Sequence, residues 1–201
     1  MVWVLSVIGR LRGELEEVNR RILGAPSANS PSMDVLRRFV LNQLYIVPHD
    51  LKALSVFMVK ASDELEYRFV KTLIDGDYEA YKALRELASE LGVEFSYESL
   101  NPAAVAYTHF LSWLSLHGSI GDLAVAAAVN LPVWGENCVK LAKWARSVGV
   151  RNVRFMEMFA GPYEELERVA EEIASRYLNW SRYRFVARAI QYYELLFWEG
   201  I

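Results

Sequence analysis

The chain has 201 residues, 53% of them apolar and 23% charged, a balance that specifies a packed core rather than a disordered polymer. Its net charge of −3 gives no electrostatic footprint for nucleic acid or an anionic membrane, so neither is expected as a partner. One cysteine excludes an internal disulfide, and the start MVWVLSVIGRLRGE lacks the charged opening and cleavage site of a secretory signal; with no apolar run long enough to span a bilayer, a cytoplasmic location is expected.

Apolar residues recur at spacings of three and four almost throughout, which predicts an all-α, single-domain protein over residues 1–201. A first helix is expected from Val2 to Leu23, ending in the loop GAPSANSPS, after which Ser32 or Asp34 can cap the next. From Met33 to Val47 nearly every face is apolar, so that helix should be surrounded by others; Pro48 is expected to break or kink it. A helix from about Asp50 to Leu73 follows, then a turn at IDGD (74–77) and an amphipathic helix ending at Gly92.

Asn101-Pro102 is expected to open a helix running to about His117, and Ser119 with Asp122 forms a capping-box start for another that meets Pro132 and should bend there. Gly161-Pro162 marks a further start, followed by PYEELERVAEEIASRY with Glu in its first turn and Arg in its last. NWSRYRFVARAIQYYELLFW closes the chain. Roughly eight helices must share one core.

Several chemistries lack their residues. No Glu-x-x-His pair suits a di-iron site, and one Cys with scattered histidines suits no structural zinc, so no metal is expected. GxGxxG, the P-loop and GxSxG are all missing, and no cofactor is expected. Gln43 and Gln191, the only glutamines, both fall within strongly apolar helices, where an amide needs a hydrogen-bond partner from protein or ligand. Gln191, Glu194 and Trp198 form a stripe along one helix face; pattern alone favours Glu194 at the edge of that face, reaching water. Tyr107 lies on an apolar face with Phe110, Leu111 and Leu114, and its hydroxyl also requires a partner. Trp134, Trp113 and Tyr192-Tyr193 suit either core packing or stacking on a flat ring. Cys138 reads as a small buried hydrophobe, because the nearby Lys140 points elsewhere on the helix.

Five segments in order carry a resemblance: FVLNQLYIVPHDLKAL (39–54), AYTHFL (106–111), LPVWGENC (131–138), FMEMFAG (155–161) and YYELLFW (192–198). Together they resemble the TenA family, the thiaminase II proteins of the haem oxygenase-like multi-helix bundle. The resemblance implies hydrolysis of an aminopyrimidine or related thiamin-derived C–N bond, a small planar heterocycle as ligand, and a homo-oligomer, commonly a tetramer. Carried over by position, it makes Glu194 the proton-moving catalytic residue and Tyr107 a pocket tyrosine. Gln43 and Leu44 fall in the segment that binds the ring, Leu44 replacing the family's aspartate; Val133 replaces its cysteine, and Phe159 its later tyrosine.

Cys138, five residues after Val133, points about 140° away from it around a helix and cannot replace the thiol without a register change. Glu136 and Asn137, on Val133's side, are the expected wall, with Gln191 near Glu194. Without a thiol, hydrolysis requires direct attack by water, with Glu194 as base and acid and Glu136 or Glu157 assisting. The competing expectation is a binding protein for a planar heterocycle that has lost the chemistry. A cofactor-free oxidase like pyrroloquinoline quinone synthase ranks last, since the helices supply little of its His- and Arg-lined pocket.

Overall fold

The computed structural model describes residues 6–201. Its helices are α1 (Val7–Glu14), α2 (Glu16–Leu23), α3 (Pro26–Asn29), α4 (Met33–Lys60), α5 (Glu64–Leu91), α6 (Ala106–His117), α7 (Ile120–Ser147), α8 (Arg154–Glu157), α9 (Glu164–Arg176) and α10 (Trp180–Gly200). One turn of 3-10 helix spans Tyr97–Ser99, and the described residues contain no strand. The expected first helix is divided at Leu15, whose φ of −101° and ψ of 1° interrupt α1 and α2. Its expected opening residues, 2–5, lie outside the described residues. A short turn of helix, α3, occupies the middle of the GAPSANSPS loop.

Two expected interruptions do not occur. α4 continues through Pro48 to Lys60, because packing against α5, α6 and α7 outweighs one lost backbone hydrogen bond. The break comes instead at 61–63, where Asp63 accepts the Glu66 N–H at 3.0 Å and the Glu66 carboxylate reaches back to the Ser62 N–H at 2.9 Å. α5 likewise runs straight through Gly76 in the IDGD segment, ending only at Gly92, whose φ of +64° places it in the left-handed region favoured by glycine.

α6 begins at Ala106, later than expected. Asn101 is occupied elsewhere, accepting the Ala103 N–H at 3.0 Å and donating to the Gly200 carbonyl at 2.8 Å, so it ties this connection to the end of α10. The capping box at Ser119 and Asp122 forms as read, and Asn179 caps α10.

The core consists of two apolar clusters. One centres on Phe39, Phe155, Phe197, Trp134 and Trp198; the other gathers Leu54, Phe57 and Leu114 with the Leu123–Val129 stretch of α7 and Val186 and Ile190 of α10. α7 packs against α4, α6 and α10 and contributes to both clusters. At their seam its inward face carries Ala126 and Ala127, whose short side chains leave space unfilled. The turn after α8 closes on α7 at Gly135, where a Cβ would lie 2.0 Å from the Phe159 carbonyl oxygen and 2.2 Å from the Tyr163 hydroxyl. Gly135→Ala is therefore expected to push that turn outward and cost on the order of 1–3 kcal/mol, read as a lower urea midpoint. An unchanged midpoint would mean that the turn gives way freely.

Candidate functional site

A cavity of about 90 Å³ lies at the seam, walled by α4, α5, α6, α7, α10 and the turn carrying Phe159. One water occupies roughly 10–15 Å³ on the same measure, so the space suits a single small ring system. α4 contributes Gln43, Ile46, Val47, Asp50 and Leu54, one face of a helix that remains continuous past Pro48. α7 contributes Leu123, Ala126, Ala127, Asn130, Leu131 and Trp134 at spacings of three and four. Glu194 and Phe197 enter from α10, Tyr107 and Leu111 from α6, and Leu73 and Asp77 from α5.

Glu194 is 2% exposed. It accepts a hydrogen bond from the Trp198 indole at 2.6 Å on one oxygen and from the Asn130 amide at 3.2 Å on the other. Asn130 also donates to Gln191 at 3.0 Å, and Gln191 donates in turn to Asn19 at 2.6 Å. This chain of amides fixes the Glu194 rotamer from behind, while desolvation raises its pKa to about 7 against the opposing pull of Trp198 and Asn130. A carboxyl near 7 exchanges a proton readily in either direction at neutral pH.

Two further carboxyls share the cavity. Asp50 accepts the Thr108 hydroxyl, and burial, then the charge of Asp77, holds its pKa well above the usual carboxylate range. Burial raises Asp77 itself to about 7. Tyr107 stands among all three carboxyls: burial raises its phenol well above the ordinary value, and Asp50, Glu194 and Asp77 each add to the effect. The Gln43 amide, 4% exposed, makes no hydrogen bond to protein among the described residues and borders the cavity.

Of the residues expected at the site, Glu194, Tyr107, Gln43 and Phe159 line this space together. Leu44 and Val133 do not; each is partly buried against the Phe39 cluster, one helical step from the cavity face, and Trp134 rather than Val133 borders the space. Glu136 points outward and pairs with Lys140 at 3.1 Å. Asn137 is buried behind the wall, donating to the Ile22 carbonyl at 2.9 Å, and Gln191 supports Asn130 without reaching the cavity. Glu157 is held at the surface by Arg146. Cys138 is fully buried outside the cavity, its thiol pKa raised by desolvation and by Glu194. Trp113 and Tyr192 are exposed.

Sequence reading missed Asp50, Asp77 and Asn130 as wall residues. The signal for Asp50 was its place seven residues after Gln43 on one continuous helical face; Asp77, four after Leu73, was hidden by the turn expected at IDGD. No group of three or more His, Cys, Asp or Glu side chains among the described residues is arranged to hold a metal ion, and no described helix is long and apolar enough to cross a membrane.

Carboxyls raised by burial make stability depend on pH in a defined direction. Folding raises their proton affinity, so they contribute most when protonated, and that contribution is lost as pH rises from the ordinary carboxylate range near 4 through about 7. For Glu194 the shift from 4.5 to about 7 corresponds to roughly 3 kcal/mol. The melting temperature should accordingly fall between pH 5 and 8, and Asp77→Asn should flatten that slope. A melting temperature that climbs over this interval in the wild type and is unaffected by the substitution would contradict the assignment.

The model of the TENA/THI-4/PQQC family matches residues 30–201. Among solved structures the chain is similar to a TenA homologue from Pyrococcus furiosus, with 21% identity, coverage of 94% of this chain and 97% of that one, and a TM-score of 0.74. It is similar also to a TenA homologue from P. horikoshii (18% identity, 96% and 97% coverage, TM-score 0.76) and to one from Pseudomonas syringae (13%, 95% and 90%, TM-score 0.77). At such identities the likeness shows the fold, which is the all-α bundle expected from the sequence. No curated protein matches the chain significantly.

Proposed function

The chain belongs to the TENA/THI-4/PQQC family, and on that premise we propose that it is a TenA-like hydrolase that cleaves a C–N bond of a small planar heterocycle, an aminopyrimidine being the class its sequence resemblance implies. The observation that carries the reading is Glu194: a carboxyl near neutrality, held in one rotamer by Trp198 and Asn130 at the wall of a partly open, ring-sized cavity.

Trp134, Phe159 and Phe197 supply flat apolar walls for a ring, and Gln43 and the Tyr107 hydroxyl supply polar contacts to its edge. In the proposed reaction Glu194, ionised, takes a proton from a water that attacks the carbon bearing nitrogen. The new C–O bond forms, the same carboxyl returns the proton to the departing nitrogen, and the C–N bond breaks to release ammonia or an amine. No thiol borders the cavity, so no covalent adduct through Cys138 enters the reaction. The assistance expected of Glu136 and Glu157 is unavailable from their surface positions. An oxidase of the pyrroloquinoline quinone synthase kind, which handles a polyanion, is disfavoured by a wall that carries three carboxyls and no Lys, Arg or His.

The test is release of ammonia or amine from a panel of aminopyrimidines by the purified chain, alongside thermal shift with the same compounds. Turnover supports the hydrolase. A thermal shift with no product would leave a binding protein for planar heterocycles, as the replacements at Leu44, Val133 and Phe159 allow; neither signal would remove both readings. We further propose a homo-oligomer, supported by exposed Trp113, Leu116 and Phe185 on α6 and α10. Sedimentation of the wild type and of Phe185→Glu should give a larger and a smaller species respectively.

A further inference from the structure

The reaction proposed for Glu194 leaves Asp50 and Asp77 without a task, although both border the same cavity from α4 and α5. Asp50 is 8% exposed; one of its oxygens accepts the Thr108 hydroxyl, and the other meets no protein donor among the described residues. Asp77 accepts no hydrogen bond from protein among those residues and makes no ion pair there. The wall contains no Lys, Arg or His. A buried carboxyl with an unpartnered oxygen is costly, and for Asp50 the charge of the partly buried Asp77 on the same wall adds to that cost. Gln43, seven residues before Asp50 on the same face of α4, adds a buried amide that is likewise without a protein partner.

We propose that Asp50 and Asp77 form a cation subsite that receives a protonated amine carried by the ring-bearing ligand, with the Gln43 amide oxygen as a third acceptor. This rests on the cavity being the ligand site, as above, and adds the charge class of what enters it. An ammonium group has three N–H donors and a unit charge, which together satisfy the free oxygen of Asp50, an oxygen of Asp77 and the amide. A metal ion is the poorer occupant, because no third His, Cys, Asp or Glu joins the pair. The subsite draws on different helices from Glu194: Asp50 and Asp77 enter the cavity from α4 and α5, Glu194 from α10 and Tyr107 from α6. Asp50, Asp77, Tyr107 and Glu194 are the titratable side chains on the cavity wall.

The test compares two probes of one shape, benzylamine and benzyl alcohol, by calorimetric titration of the full chain at pH 7.5. The amine is expected to bind the wild type about tenfold tighter or better. Asp50→Asn and Asp77→Asn should each remove most of that preference, while Glu194→Gln retains it. Asp77→Asn breaks no protein hydrogen bond and serves as the second variant should Asp50→Asn fold poorly. Equal binding of the two probes, no binding of either, a preference that survives both aspartate substitutions, or one lost only in Glu194→Gln would each overturn the subsite. Turnover of aminopyrimidines without amine preference would remove the subsite alone; amine preference without turnover would remove only the hydrolase.

Discussion

Glu194→Gln is expected to lower the turnover of an aminopyrimidine by a factor of about 10²–10⁴, the range for loss of a positioned general acid–base, while making the folded protein more stable at pH 8. The two effects share one cause. The cavity keeps an ionisable group where ionisation is unfavourable, and its pKa of about 7 expresses that cost. Gln has the same shape without the charge, so the desolvation penalty of roughly 3 kcal/mol at high pH largely disappears. Its carbonyl can still accept from the Trp198 indole, but its amide faces the Asn130 amide donor, which returns part of the gain. The melting temperature should therefore rise by several degrees at pH 8 and change little at pH 5, where the wild-type carboxyl is already protonated. Unchanged turnover would take Glu194 out of the chemistry; a variant less stable at pH 8 than the wild type would show that the buried carboxyl is supported more fully than its neighbours suggest.

Phe39→Ala is expected to have the largest effect on stability, about 3–5 kcal/mol, which for a chain of this size lowers the melting temperature by roughly 6–20 °C. Phe39 is fully buried and stacks on Trp134 with ring centres 5.7 Å apart and planes 10° from parallel. Phe155 and Phe197 meet it edge-on at 5.9 and 5.7 Å, and Trp198 lies tilted at 5.9 Å. Rings of this size cannot all move into the vacated volume, so a cavity remains and its cost adds to the lost transfer energy. Trp134 and Phe197 also wall the ligand cavity, so a ring-shaped ligand should bind more weakly as their positions loosen. A loss below about 1 kcal/mol would mean that the cluster collapses efficiently and that its geometry does not shape the site.

Local chemistry in the sequence located some features well. Ser119 with Asp122, and Gly92, act within a turn or less of helix, and the structure uses both as read. The stripe of Gln191, Glu194 and Trp198 was similarly legible, because residues three and four apart on a helix must be neighbours. Its indole does meet its carboxylate. Pattern alone pointed Glu194 to water, and there it was wrong: the carboxylate is buried, because α7 places Asn130 against the stripe.

The failures share a form. Pro48 and the IDGD segment were read as interruptions from local preference, and Asp50 and Asp77 were assigned to a helix start and a turn. In the folded chain α4 and α5 pass through both points, because neighbouring helices repay the local cost, and continuity turns each aspartate toward the cavity. Leu44 and Val133 failed differently. Their segments were correctly placed in the bundle, but a single residue changes direction by about 100° around a helix, and order of motifs does not resolve that angle.

Thus periodicity and capping, which act over a few residues, were enough to determine an all-helical chain, and the order of five motifs was enough to determine its family. Which carboxyls share one cavity, and how far burial lifts them, was decided by the packing of α4, α5, α6, α7 and α10 around short alanine side chains. The physical reason is range: a hydrogen-bonded turn is settled by its own neighbours, whereas desolvation depends on atoms brought from distant parts of the chain.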